Sequence, residues 1–221
     1  MRKCIAETVS TFALVFAGTG AIVVNDISGG SITHVGISLT FGLIVMVMIY
    51  SVGDISGAHM NPAVTVGFLF AGRIDKKEAP PLIVSQCAGA ILASGLLKLL
   101  FPSHQTLGAT IPSGPVWQSF TLELILTFIL MFVILNVSTG AKEKGIMAGV
   151  AVGGTVGLEA LFAGPISGAS MNPARSLGPA LVSGELKHLW IYLTATFIGA
   201  LLAYLVFKAI RGEVNSCKWT P

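Results

Sequence analysis

Charge is what this chain has least of. Only 10% of its 221 residues are Asp, Glu, Lys or Arg, against 53% apolar, and the mean hydropathy is +0.83. A soluble domain carries more polar surface than that, and a disordered chain more still. The basic excess is slight, 13 Lys and Arg against 10 Asp and Glu, and it forms no cluster with interleaved aromatics, which excludes a nucleic-acid footprint. Cysteine is scarce too. Cys4, Cys87 and Cys217 are an odd set, two of them expected on the cytoplasmic side, so no disulfide is expected. No nucleophile with a base and an acceptor hole emerges, nor any group of metal ligands. An enzyme, a cofactor and a bound metal are therefore not expected.

Long apolar runs are what the chain has in abundance. A bilayer core about 30 Å thick takes about 20 residues of helix to cross. Six runs near that length stand at 5–24, 35–53, 80–101, 117–137, 145–163 and 189–210. The first carries Glu7 and lacks a small-residue cleavage site before a polar domain, so it reads as a retained span. Arg2 and Lys3 precede the first span, Arg73, Lys76 and Lys77 the third; Lys142 and Lys144 separate the fourth and fifth; Lys208, Arg211 and Lys218 follow the sixth. The opposite side has only Lys98 and Lys187, so both termini are expected to be cytoplasmic.

A nine-residue polar stretch occurs twice. ISGAHMNPA, Ile55 to Ala63, returns as ISGASMNPA, Ile166 to Ala174, with one letter changed. Glu7, with Thr11 four residues on, is likewise echoed by Glu123 with Thr127. Each half therefore reads span, span, polar loop with Asn-Pro, span. An odd number of spans per half turns the second half upside down, so the chain is an inverted repeat about an axis in the membrane plane. The apolar segment after each Asn-Pro, Pro62 to Phe70 and Pro173 to about Val182, covers only about half the core as helix. Asn is a favoured N-cap and Pro suits the first helical position. Asn61-Pro62-Ala63 and Asn172-Pro173-Ala174 thus read as helix starts near the midplane, entering from opposite faces and meeting tip to tip. Irregular backbone at that depth must be buried in protein or line water. The expected fold is an all-α membrane protein of six spans and two re-entrant half-helices. It forms one channel domain over 1–221, with repeats of about 1–108 and 115–213.

These residues resemble the major intrinsic protein family, the aquaporins and glycerol facilitators, over essentially the whole chain. GLIVMVMIYSVGDISGAHMNPAVT and AGPISGASMNPARSLGPA look most like its nodulin-like branch and bacterial relatives. The resemblance implies a homotetramer in the lipid bilayer with a pore in each subunit, passing water and small uncharged solutes while excluding ions and protons. Asn61 and Asn172 would cap or brace the loops and aim amide N–H groups into the pore. The two half-helix dipoles would add the cation barrier known for aquaporin-type pores. Glu7 and Glu123 would accept hydrogen bonds from the re-entrant loops. His59 would line the inner approach, as a pH-sensitive wall or a neutral hydrogen-bonding group.

By offset from the two boxes, the family's selectivity constriction falls on Phe41, Ala160, Ala169 and Arg175. Arg175 stands about one turn beyond Asn172, where its donors would grip a hydroxyl while its charge repels cations. Ala160 and Ala169 are small where strict water channels and glycerol facilitators carry bulkier groups, so a wide opening is expected. Glycerol, urea, or undissociated boric, arsenous or silicic acid then become candidates beside water. Phe41 departs from the small or Trp residue common in nodulin-like relatives, so a water-selective pore is the alternative. An ion-coupled transporter would need a loadable charged site at the midplane, and a scaffold would need soluble interaction domains; the sequence offers neither. Asp54 reads as a solvated carboxylate at the inner mouth. Glu159 is expected to point away from the lumen, toward a loop or Arg175, with loop bracing, an outer-mouth charge and direct filtering as its three open roles.

Overall fold

The computed structural model describes residues 1–139 and 146–212. Lys142, Lys144, Cys217 and Lys218, and the expected start of the fifth span at 145, lie outside the described residues. Every regular element described is a helix: α1 (Arg2–Ile27), α2 (Thr33–Ser56), α3 (Pro62–Phe70), α4 (Ala79–Leu100), α5 (Val116–Val137), α6 (Ala148–Ser167), α7 (Pro173–Ser183) and α8 (Leu189–Arg211). Six of these are long and apolar enough to cross a membrane. The other two, α3 with 9 residues and α7 with 11, reach about 14 and 16 Å, half a bilayer core.

Two boundaries differ from the sequence reading for one physical reason. Helices α2 and α6 run on past 53 and 163 to Ser56 and Ser167, so the first two residues of each nine-residue repeat form the last helical turn. Pro165 lies inside α6 and does not end it. Each helix stops instead at a left-handed glycine, Gly57 (φ 87°) and Gly168 (φ 85°), a conformation glycine adopts without steric cost.

The outer surface is apolar, and the interior carries buried polar groups beside its apolar core. Leu39, Leu43 and Val47 form a row on α2 that stays 46–52% exposed, as a lipid-facing stripe should. Glu7, Gln86, Ser94, Ser119, Glu123, Thr127 and Ser167 are all fully buried. Several interior hydroxyls bond back into their own helix, as Thr19 does to the Val15 carbonyl and Thr196 to the Tyr192 carbonyl.

The two halves pack in the same pattern. Helix α1 packs on α4 as α5 packs on α8, and α2 packs on α6 between the halves. At the first crossing Gly89 faces the backbone of α1, where a methyl would collide with the Thr8 carbonyl and lie 3.0 Å from the Phe12 amide nitrogen. At the second, Gly199 faces Leu124 and Phe128 of α5 at the same 3.0 Å from the amide. Small residues are what allow helix backbones to approach this closely in lipid.

Gly89→Ala and Gly199→Ala should each destabilise the fold by about 1–3 kcal/mol, the usual penalty of overpacking. Thermal melting in detergent should show both losses. Gly95→Ala, on α4 but facing open space, should show none.

Candidate functional site

The chain turns back on itself between α2 and α3 and again between α6 and α7. After Gly57, Ala58 (φ 47°) and Met60 (φ 51°) are left-handed; after Gly168, Ala169 (φ 40°) and Met171 (φ 53°) repeat the pattern. Non-glycine residues in this region cost on the order of 1–3 kcal/mol each and persist only where their surroundings over-determine them. Here two buried carboxylates do so.

Glu7 Oε1 accepts from Ser56 Oγ at 2.7 Å and from the His59 amide at 2.9 Å; Oε2 accepts from the Met60 amide and from Gln86 Nε2, both at 2.7 Å. Glu123 Oε1 accepts from Ser167 Oγ at 2.8 Å and from the Ser170 amide at 2.9 Å, and Oε2 from the Met171 amide at 2.9 Å. In each loop the serine hydroxyl also accepts from the amide two residues on, Ala58 or Ala169, at 3.1 Å. Loop N–H groups that no water reaches thus end on carboxylate or hydroxyl oxygen.

The helix starts meet at their caps. Asn61 Oδ1 accepts from the amides of Ala63 (2.9 Å) and Val64 (3.4 Å), and Asn172 Oδ1 from those of Ala174 (3.0 Å) and Arg175 (3.3 Å). Each side-chain amide also crosses to the other loop: Asn61 Nδ2 donates to the Met171 carbonyl at 2.7 Å, and Asn172 Nδ2 to the Met60 carbonyl at 2.8 Å. The sequence reading aimed these amides into the lumen. The structure uses one hydrogen of each as a brace, and the second has no partner among the described residues.

A cavity of about 590 Å³ runs past this junction. Its lining includes Asp54, His59, Asn61, Asn172, Phe41 and Arg175. Asp54 is exposed, and Lys3, paired with Glu78 at 3.0 Å, also borders the cavity. His59 Nδ1 lies 3.1 Å from Thr65 Oγ1, which accepts from Gln86 Nε2 at 2.9 Å, and its ring leans on Phe68 at 4.8 Å.

Arg175 is 2% exposed, with its Cζ 5.1 Å from the centroid of the Phe41 ring and Nη1 donating to the Gly108 carbonyl at 2.9 Å. Its Nε has no hydrogen-bond partner among the described residues. Ala169 lines the same cavity. Ala160 sits in the same buried cluster as Phe41 and Ala169 but outside the cavity lining.

Glu159 corrects the sequence reading. It is fully buried, which removes the outer-mouth role, and neither carboxyl oxygen has a hydrogen-bond partner among the described residues, so it braces no loop there. It is also absent from the cavity lining. Sequence reasoning missed Gln86, Ser56, Ser167 and Tyr192, whose hydroxyl donates to the Ser167 carbonyl at 2.6 Å. The two serines hold equivalent positions in the repeated loops, and Gln86 stands alone in an apolar run where a polar group needs a partner; both were available signals.

Comparison with known proteins places this geometry. The family model described as major intrinsic protein matches residues 1–207. Aquaporin NIP1-1 of Zea mays is 48% identical over 96% of this chain and 75% of its own length. Nodulin-26 of Glycine max is 46% identical over 96% and 78%. The X-ray structure of the aquaglyceroporin from Plasmodium falciparum matches with a TM-score of 0.81 at 28% identity, covering 95% of this chain and 96% of that one.

Glu7→Gln and Glu123→Gln put an amide donor among loop donors and should each cost at least about 2 kcal/mol, the scale of hydrogen bonds to a charged group. Glu159→Leu should move thermal stability the other way, because an apolar side chain replaces a carboxyl that no group among the described residues compensates. Each kcal/mol corresponds to roughly 2–4 °C of melting temperature at this size.

Proposed function

The chain belongs to the major intrinsic protein family, an integral membrane channel family and not an enzyme family, and its aquaporin relatives identify it as a channel for water and small solutes. From that premise we propose a passive pore whose width admits water together with glycerol, urea, or undissociated boric, arsenous or silicic acid, and which excludes ions and protons. Phe41, Ala160, Ala169 and Arg175 form its selectivity filter. Four such subunits assemble, each with its own pore and with both termini in the cytoplasm.

The observation that carries this reading is the pair of crossed braces, Asn61 to the Met171 carbonyl and Asn172 to the Met60 carbonyl, beside a cavity that both asparagines line. A water passing the junction is offered a donor from each side, so it accepts from both and cannot readily relay a proton along the file. The two α3 and α7 N-termini add positive ends that oppose cations. Beyond them, the buried Arg175 guanidinium borders the cavity, where its charge opposes cations. Ala169 leaves room for a small solute beside Arg175, and Phe41 gives it an apolar wall.

A water-only pore is the competing reading, and Phe41 held 5.1 Å from the Arg175 guanidinium is what favours it. Purified protein in liposomes decides between them. Under an osmotic step the vesicles should shrink fast, carry no proton current, and then reswell as at least one of the named solutes enters. Light scattering that shows water passage alone identifies the narrower pore. Ala160→His should restrict solutes more than water; an equal loss of both would place the filter elsewhere.

A further inference from the structure

The width of the proposed filter depends on how far α2, which carries Phe41, stands from α6, which carries Ala160. In the middle the two helices touch through glycine: a methyl on Gly42 would lie 2.7 Å from the Gly153 carbonyl oxygen and 3.0 Å from the Gly157 Cα. At each end a ring from α2 reaches over a glycine of α6 and approaches the carbonyl three residues before it. Tyr50 lies over Gly149 and its hydroxyl donates to the Ile146 carbonyl at 3.0 Å. His34 lies over Gly164, where a methyl would sit 2.9 Å from its Cε1, and His34 Nε2 is 2.8 Å from the Leu161 carbonyl oxygen.

The Leu161 carbonyl is free for a reason written in the chain. Its helical partner would be the amide of residue 165, and that residue is proline, which has none. A carbonyl only accepts, so His34 holds its hydrogen on Nε2. Three residues therefore make one device: Pro165 vacates the acceptor, Gly164 makes room for the ring, and His34 supplies the donor. Leu161 is the neighbour of Ala160 in sequence, and His34 is two helical turns before Phe41 on nearly the same face of α2.

We propose that His34 is a positioning residue for the filter: by donating to the carbonyl that Pro165 leaves unpaired, it holds the outer ends of α2 and α6 together and so sets the gap between Phe41 and Ala160. This rests on the assignment of Phe41 and Ala160 to the filter. Without the tie the outer ends separate and larger solutes gain more than water does.

Two measurements test it. In liposomes, His34→Leu should raise the ratio of glycerol to water permeability on the order of 3-fold, the scale of one neutral hydrogen bond. His34→Gln, whose amide nitrogen can reach the same carbonyl, should restore the parent ratio. An unchanged ratio in His34→Leu, a proportional loss of both fluxes, or a Gln variant that behaves like Leu overturns the proposal. A parent that passes none of the named solutes overturns the wide-filter reading instead, and the second measurement still stands. Pro165→Ala returns an amide to the Leu161 carbonyl, so His34→Leu should lower the melting temperature less in that background than in the parent. Equal losses in the two backgrounds would show that the tie to this carbonyl is not what His34 supplies.

Discussion

An amide hydrogen halfway across a hydrocarbon layer has no water to turn to, and the rest of this structure follows from where those hydrogens go. In each half a single carboxylate, Glu7 or Glu123, gathers two consecutive loop amides and a serine hydroxyl. Because these acceptors sit on α1 and α5, on the side of the loop away from the cavity, the loop N–H groups are drawn outward. The alternating left-handed residues are the backbone's response to that pull. Irregular backbone at this depth is compatible with lipid because the loop amides keep to protein acceptors.

The halves are alike in their backbone and unlike in the polar groups behind it. Behind the first loop Gln86 links Glu7 to Thr65, which in turn holds His59. Behind the second, Ser170 and Ser176 pair at 2.6 Å and Thr110 joins Ser176 at 2.8 Å. One approach to the junction thus carries an imidazole and the corresponding position on the other side a hydroxyl. Arg175 has no counterpart charge at Val64, the equivalent position of the first half-helix. The buried positive charge is confined to one end of a frame that is otherwise two-fold.

Much of the frame was legible because it is written twice. A single Asn-Pro reads as a turn; two copies in matching settings, with two equally spaced glutamates, read as opposed helix starts, and α3 and α7 begin at those prolines. The helix ends were less legible. Pro165 suggests a stop, yet helix α6 continues to Ser167, because a proline removes one hydrogen bond and the freed carbonyl found a donor on another helix. Glu159 was illegible for a different reason: a charge in a span invites a partner, and only the packing shows that none of the described residues supplies one. Cross-chain ties such as Asn172 to the Met60 carbonyl follow from the repeat only once the loops are known to touch.

That last tie has a consequence for how the molecule is made. The Met60 carbonyl and the Asn172 amide are separated by 112 residues of chain. When the first re-entrant loop leaves the ribosome, Glu7 is already made to hold its amides, but the side chain that will cap the Met60 carbonyl has not been synthesised. That carbonyl is satisfied only once the later half threads in from the opposite side. Biogenesis of this protein therefore ends in a joint docking step that neither half completes alone.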